Sequence, residues 1–145
     1  MITEEGIMQG FNQGFDCSMQ VAAELSGDVG LTKEQGLKIM SCFGVGAGQR
    51  TLCGAVSGAM MAIGYRYGNT EPGDMATKGL CMSKREEFYD RFMKEFGTLT
   101  CPGLMGVDLT DPEGAKKANE EGLIPKVCPG VCMFAIRTAR DLIRD

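Results

Sequence analysis

Residues 52–65, LCGAVSGAMMAIGY, carry no charged side chain. Such a run is too long for an ordinary strand of about six residues, so it reads as a helix. A helix without a polar face has to be enclosed by the rest of the fold. This places a helix over 51–67 at the centre of the molecule, buried on every face, and asks the remaining sequence to surround it. Within it Gly54 and Gly58 lie four apart on one face, beside Ala55 and Ala59. A face lacking side chains lets another backbone pack tightly or lets a cofactor approach, which makes Gly54 and Gly58 candidate cofactor-binding positions.

The surrounding segments also read as helices, because none alternates β-branched with polar residues. A helix is expected over 16–25, with Asp16 as N-cap and Cys17 in its first turn. Thr32 and Gln35 form a capping box that opens a helix reaching about Cys42. Ser83 and Glu86 form a second box, opening a helix that carries Phe88, Phe92 and Phe96 and stops at Gly97. That phenylalanine stripe reads as core or interface. Asp111 caps a short polar helix with Pro112 at its first position. The last helix is expected to start at the CPG of 128–130 and to run to Asp145, with Val131, Phe134, Ala135, Thr138 and Leu142 on its apolar face. The prediction is all-α: a compact bundle of five or six short helices around a buried glycine-rich central helix, in one domain over 1–145.

Hydrophobic content of 43% and charged content of 23% suit a globular chain. A net charge of −4 with no basic cluster argues against nucleic acid as a partner. No apolar run approaches the about 20 residues of a membrane span, and the opening MITEEGIMQG is acidic. The expected location is cytoplasmic, without membrane insertion. The chain has no histidine. That removes histidine-based triads, the commonest general acid–base, mixed Cys/His zinc sites and haem held by an internal histidine. It does have seven cysteines, at 17, 42, 53, 81, 101, 128 and 132. In a cytoplasmic chain that number points to metal binding or thiol chemistry more than to a disulfide framework.

The glycine-rich loop CFGVGAGQRT, residues 42–51, is not a phosphate cradle. A dinucleotide fingerprint needs G-x-G-x-x-G after a strand, whereas Gly44, Gly46 and Gly48 follow a helix at G-x-G-x-G spacing. A P-loop would end in Gly-Lys-Ser/Thr, and this loop ends in GQRT. The glycines instead allow a sharp turn that brings Arg50 and the next helix N-terminus within a turn of Cys53. Both favour a thiolate there.

The segment CGAVSG, residues 53–58, follows a lone helical cysteine at Cys17 and precedes Cys101 and Cys128, each followed by Pro-Gly. In these features the chain resembles the C_GCAxxG_C_C family of redox-active proteins, small bacterial and archaeal chains of similar length, from about residue 11 to 140. The resemblance implies four functional cysteines, Cys17, Cys53, Cys101 and Cys128, with Cys42, Cys81 and Cys132 as extras. Some members are described as selenoproteins, which suits a reactive nucleophilic position. The family is also similar to a domain of split-Soret cytochromes, which implies a homodimer by analogy. The haem of that domain does not transfer, because this chain has neither Cys-x-x-Cys-His nor any histidine.

Three chemistries suit such a quartet. The first is thiol–disulfide exchange with a redox partner protein or a small thiol. Cys53 is then the expected nucleophile, with Arg50 and helix starts at Cys17, Cys53 and Cys128 lowering thiol pKa values. Sequence leaves all three pairings of four cysteines open. The second is an iron–sulfur cluster ligated by Cys17, Cys53, Cys101 and Cys128, with Cys132 as an added ligand and the glycines leaving room for it. The third is a four-cysteine structural zinc site. Cys42 and Cys81 are expected to be ordinary core residues. Against the redox readings stands a structural or partner-docking module that uses the helix over 83–97.

Overall fold

The computed structural model describes residues 2–144 and is all-α. Eight α-helices are present among the described residues: α1 Glu4–Asn12, α2 Cys17–Val29, α3 Lys33–Ile39, α4 Gly54–Tyr67, α5 Met75–Phe96, α6 Cys101–Met105, α7 Pro112–Glu120 and α8 Leu123–Arg144. They outnumber the five or six expected. Met1 and Asp145, the ends of the expected domain and of its last helix, lie outside the described residues.

The apolar helix α4 packs against α2, α8 and α5. Ala55, Val56, Ala59 and Ala62 are fully buried, but Tyr65 is 59% exposed, so the helix is enclosed on most of its surface and not on every face. Its C-terminal end is tied down where the Tyr67 hydroxyl donates to the Leu142 carbonyl of α8 at 2.6 Å. Arg140 of α8 reaches α2 through Asp28 at 3.0 Å and Glu24 at 3.6 Å, a half-buried ion network joining the two helices that flank α4. On the far side of α8, Phe92 and Phe96 of α5 meet Phe134 edge-on, at 6.0 and 5.2 Å between ring centres. Phe88 and Phe92 are fully buried, so the phenylalanine stripe is core.

Several caps follow the sequence. Thr32 and Gln35 make both bonds of their capping box, Asp111 caps α7 with Pro112 behind it, and Gly97 ends α5 in the left-handed conformation. Two boundaries differ. Ser83 lies inside α5, which starts eight residues earlier where Asp74 accepts from the Thr77 N–H at 3.1 Å. The nearer cap wins because 75–82 has no residue that interrupts a helix apart from Gly79, whose cost is about 1 kcal/mol. Likewise α8 starts at Leu123 and carries Pro129 in its interior. Proline there forgoes one i→i−4 bond, and burial of Pro129 and the following apolar face against the core offsets the loss. Cys128 is therefore inside a helix and not at its start. The helix α1 was not anticipated.

Among the described residues there is no strand, only one antiparallel bridge between Leu52 and Thr100. It positions the site.

Candidate functional site

The bridge pairs the residues before α4 with those before α6. The Cys53 N–H donates to the Leu99 carbonyl at 2.8 Å, and the Cys101 N–H donates to the Thr51 carbonyl at 3.0 Å. Along a strand successive side chains alternate sides. Cys53 and Cys101 flank the Leu52–Thr100 rung diagonally, so their side chains share the side opposite to those of Leu52 and Thr100. The two thiols hydrogen-bond to each other. Each then opens a helix: Cys53 is the N-cap of α4, and Cys101 is the first residue of α6, which Thr100 caps by accepting from the Gly103 N–H at 3.1 Å.

Cys17, the first residue of α2, joins them from the other side of α4. Its sulfur accepts from the Val45 and Ser18 N–H groups. Gly54 makes this approach feasible, because a Cβ there would lie 2.5 Å from the Cys17 sulfur and 3.1 Å from the Ser18 nitrogen. At Gly58 a Cβ would lie 2.7 Å from the Ser18 carbonyl oxygen. The bare face of α4 is thus filled by α2: of the two uses the sequence offered for Gly54 and Gly58, close packing of another backbone or approach of a cofactor, the structure has the first. From α8 come Cys128 and, one turn later, Cys132. Five cysteines, Cys17, Cys53, Cys101, Cys128 and Cys132, line one small apolar cavity of about 20 Å³.

A second cavity, of about 230 Å³, adjoins the first and shares Cys17, Cys101 and Cys128 with it. Its other walls are apolar, from Phe11, Val45, Met105, Leu109 and Ile124, with the single carboxylate of Asp16 among them. Cys53 and Cys132 do not line it.

The electrostatics separate Cys101 from the rest. The hydrogen bond from Cys53, opposed by burial and helped by the Gly54 N–H at the start of α4 and by its own N–H, brings its thiol down to about 7. The same hydrogen bond pushes Cys53 up, as do burial and the neighbouring Cys17 and Cys101. Burial, then the charge of Cys101, raises Cys17. Burial pushes Cys128 up to about 12 and Cys132 upward as well. Within this pair Cys101 is the thiol lowered and Cys53 the thiol raised, where the sequence expectation placed the thiolate at Cys53. Arg50 is exposed, with a left-handed backbone (φ 56°), and is not among the groups that shift Cys53. Cys128, half-buried in the interior of α8 and not at a helix start, is raised by desolvation and by its Cys17 and Cys101 neighbours.

The loop glycines work differently than a phosphate loop would. Val45, Gly46, Ala47, Gly48 and Arg50 all have positive φ, winding the chain from α3 back to the bridge. Gly44 leaves room for Asp16, whose Cγ would lie 2.5 Å from a Cβ at that position. Asp16 stands at the N-cap of α2 but makes no side-chain cap bond. Sequence reasoning assigned it only the capping role. Of the cysteines outside the quartet, Cys42 is exposed, against the expectation of a core residue, while Cys81 is half-buried at the core edge.

No three Cys, Asp or Glu side chains among the described residues come close enough together to hold one metal ion, so the four-cysteine zinc site does not assemble in this arrangement. The space shared by all four quartet sulfurs, about 20 Å³, is room for roughly one water molecule. A multi-atom iron–sulfur core does not fit there, and the larger cavity meets only three of the four cysteines.

These features define a helical protein with a cluster of thiols in its core, three of which line an adjoining cavity. The chain belongs to the family whose model, described as "Putative redox-active protein (C_GCAxxG_C_C)", matches residues 15–142. No curated protein and no solved structure matches it. No helix among the described residues is long and apolar enough to cross a membrane.

Proposed function

We propose that the protein carries out thiol–disulfide exchange, with Cys101 as the attacking thiolate and Cys53 as the resolving thiol. The observation that carries this reading is the placement of Cys53 and Cys101 on one side of a single backbone rung, where a hydrogen bond between the two thiols lowers Cys101 and raises Cys53. Exposure sets the order of events. Cys101 lines the larger cavity and Cys53 does not, so an incoming disulfide meets Cys101 first.

In the first step the Cys101 thiolate attacks one sulfur of a disulfide RS–SR, forming a Cys101–S–SR mixed disulfide and releasing RS⁻. In the second, Cys53 gives up its proton and attacks the Cys101 sulfur, forming the Cys53–Cys101 disulfide and releasing the second RS⁻. The protein loses two electrons, and the substrate gains them as two thiols. A reducing thiol in the surrounding compartment reverses the sequence. The cytoplasm is the expected setting, in keeping with a chain of seven cysteines.

The test is trapping. Reduced Cys53→Ser protein, given a small disulfide, should accumulate a mixed disulfide on Cys101, while wild-type protein passes on to an internal disulfide. Cys101→Ser protein should form neither at a comparable rate. Unchanged reactivity in Cys101→Ser protein would overturn the assignment.

A further inference from the structure

We propose that the 230 Å³ cavity beside Cys101 is a substrate site that selects small cationic disulfides over anionic ones, with Asp16 as the selecting residue. This rests on the thiol–disulfide reading above and names the substrate class for it. The cavity is smaller than the about 300–1,000 Å³ that drug-sized ligands occupy, so it takes a small molecule and not a polypeptide segment. Phe11, Val45, Leu109 and Ile124 offer apolar contact for a short carbon chain on either side of a sulfur–sulfur bond.

The charge preference comes from what the walls contain. Among the described residues Asp16 is the one ionisable side chain on the cavity other than the cysteines. Its carboxylate is not used to cap α2, and Gly44 leaves it the room it occupies. Cys101 lines the same cavity and carries negative charge when it attacks. An anionic disulfide therefore meets two like charges with no cation on the walls to offset them. A cationic one gains a partner for its ammonium group in apolar surroundings, where such a pair is stronger than in water.

The experiment measures the rate at which the reduced protein reacts with three disulfides: cystamine (cationic), 2-hydroxyethyl disulfide (neutral) and dithiodiglycolate (anionic). Cystamine should react at least about tenfold faster than dithiodiglycolate, with 2-hydroxyethyl disulfide between them. Any thiolate favours cystamine to some degree, so the decisive readout is the Asp16→Asn variant. Its cystamine-to-hydroxyethyl ratio should fall about fivefold or more. Asparagine keeps the N-cap preference of the position, and Asp16→Ser offers a second cap-compatible replacement. Should neither variant fold, the wild-type ratio must still exceed that of 2-mercaptoethanol thiolate at the same ionic strength, and that excess must shrink as salt rises from about 10 mM to about 500 mM. A ratio unmoved by the substitution, or an excess absent or unmoved by salt in that last case, would overturn the inference and leave the redox reading standing. Failure of all three disulfides to react through Cys101 would overturn the redox reading itself.

Discussion

Cys53 and Cys101 are held side by side by backbone and not by their own helices: the Cys53 N–H bonds to Leu99 and the Cys101 N–H to Thr51, on either side of a single Leu52–Thr100 rung. This pairing puts two chemically identical thiols in one place and gives them different tasks. Cys101 receives the Cys53 hydrogen bond and the free N–H at the start of α4, while Cys53 remains protonated beneath it. Burial raises the remaining thiols, Cys17, Cys128 and Cys132, which leaves Cys101 as the nucleophile of the proposed reaction.

The pH dependence of alkylation follows from that asymmetry. Thiolate is the reactive form, so the iodoacetamide rate at Cys101 should fall about tenfold per pH unit below about 7 and level off above it. The Cys53 hydrogen bond is the largest cause of the lowering, so Cys53→Ala protein should have its inflection moved upward, toward the ordinary thiol value. Its rate at pH 7 should drop several-fold and approach the wild type at about pH 10. The profile is read by peptide mass spectrometry at Cys101. An inflection that stays in place in Cys53→Ala would assign the lowering to the α4 N-terminus alone.

Close packing of α2 on α4 is tested by three glycines of one neighbourhood. Gly58→Ala drives a Cβ to 2.7 Å from the Ser18 carbonyl, a backbone atom that cannot rotate away. It should cost about 1–3 kcal/mol in urea unfolding, the range for overpacking. Gly54→Ala should cost a similar amount and also displace the Cys17 sulfur. Gly64 on the same helix has nothing within 4 Å of its Cβ position, so Gly64→Ala should be neutral or stabilise by up to about 1 kcal/mol. Equal effects at Gly58 and Gly64 would mean that helix propensity, and not contact with α2, governs the face.

Much of this fold is legible in the sequence because it is written locally. The capping box at Thr32 and Gln35, the Asp111–Pro112 start and the Gly97 stop are each decided within four residues, and the structure has all three. The apolar run over 52–65 foretold a central helix without saying what would pack on it. Where a cap competed with a nearby alternative, as Ser83 did with Asp74, local rules could not rank the two. The division of labour in the thiol cluster was not legible at all. It depends on residues 51–53 meeting 99–101 across a long stretch of chain with no alternating pattern to announce the pairing. Read locally, Cys53 has a cation three residues before it and a helix after it. In three dimensions Arg50 is exposed, and the first N–H groups of α4 are shared, Gly54 serving Cys101 and Ala55 serving Cys53.

The inorganic alternative makes its own prediction. Because the four quartet sulfurs share about 20 Å³, protein purified without oxygen should be colourless, with iron and sulfide well below one cluster per chain. Absorbance between 350 and 450 nm together with iron and sulfide assays on the same sample decides it. A brown protein with stoichiometric iron and sulfide would require the quartet to open by several ångströms, and would make the Cys53–Cys101 hydrogen bond a property of the metal-free form only.

Oxidation should stabilise the fold through the loop it closes. A Cys53–Cys101 disulfide would link the start of α4 to the start of α6 and enclose all of α4 and α5. By chain entropy a loop of that length contributes roughly 4 kcal/mol, less any strain in closing it. The two cysteines lie diagonally across the rung, where Cα atoms are typically about 7–8 Å apart, so closing the bond draws the two backbones together and takes part of that gain. At about 2–4 °C per kcal/mol for a chain of this size, oxidised protein should melt about 10 °C above reduced protein. Cys53→Ser protein should show no such difference, and Cys42→Ser, at an exposed position, should keep it in full. Peptide mapping of the oxidised form should recover the Cys53–Cys101 link. Recovery of Cys17 joined to Cys128 would instead make those two, which share the larger cavity with Cys101, the redox pair, and would return Cys53 to a supporting role.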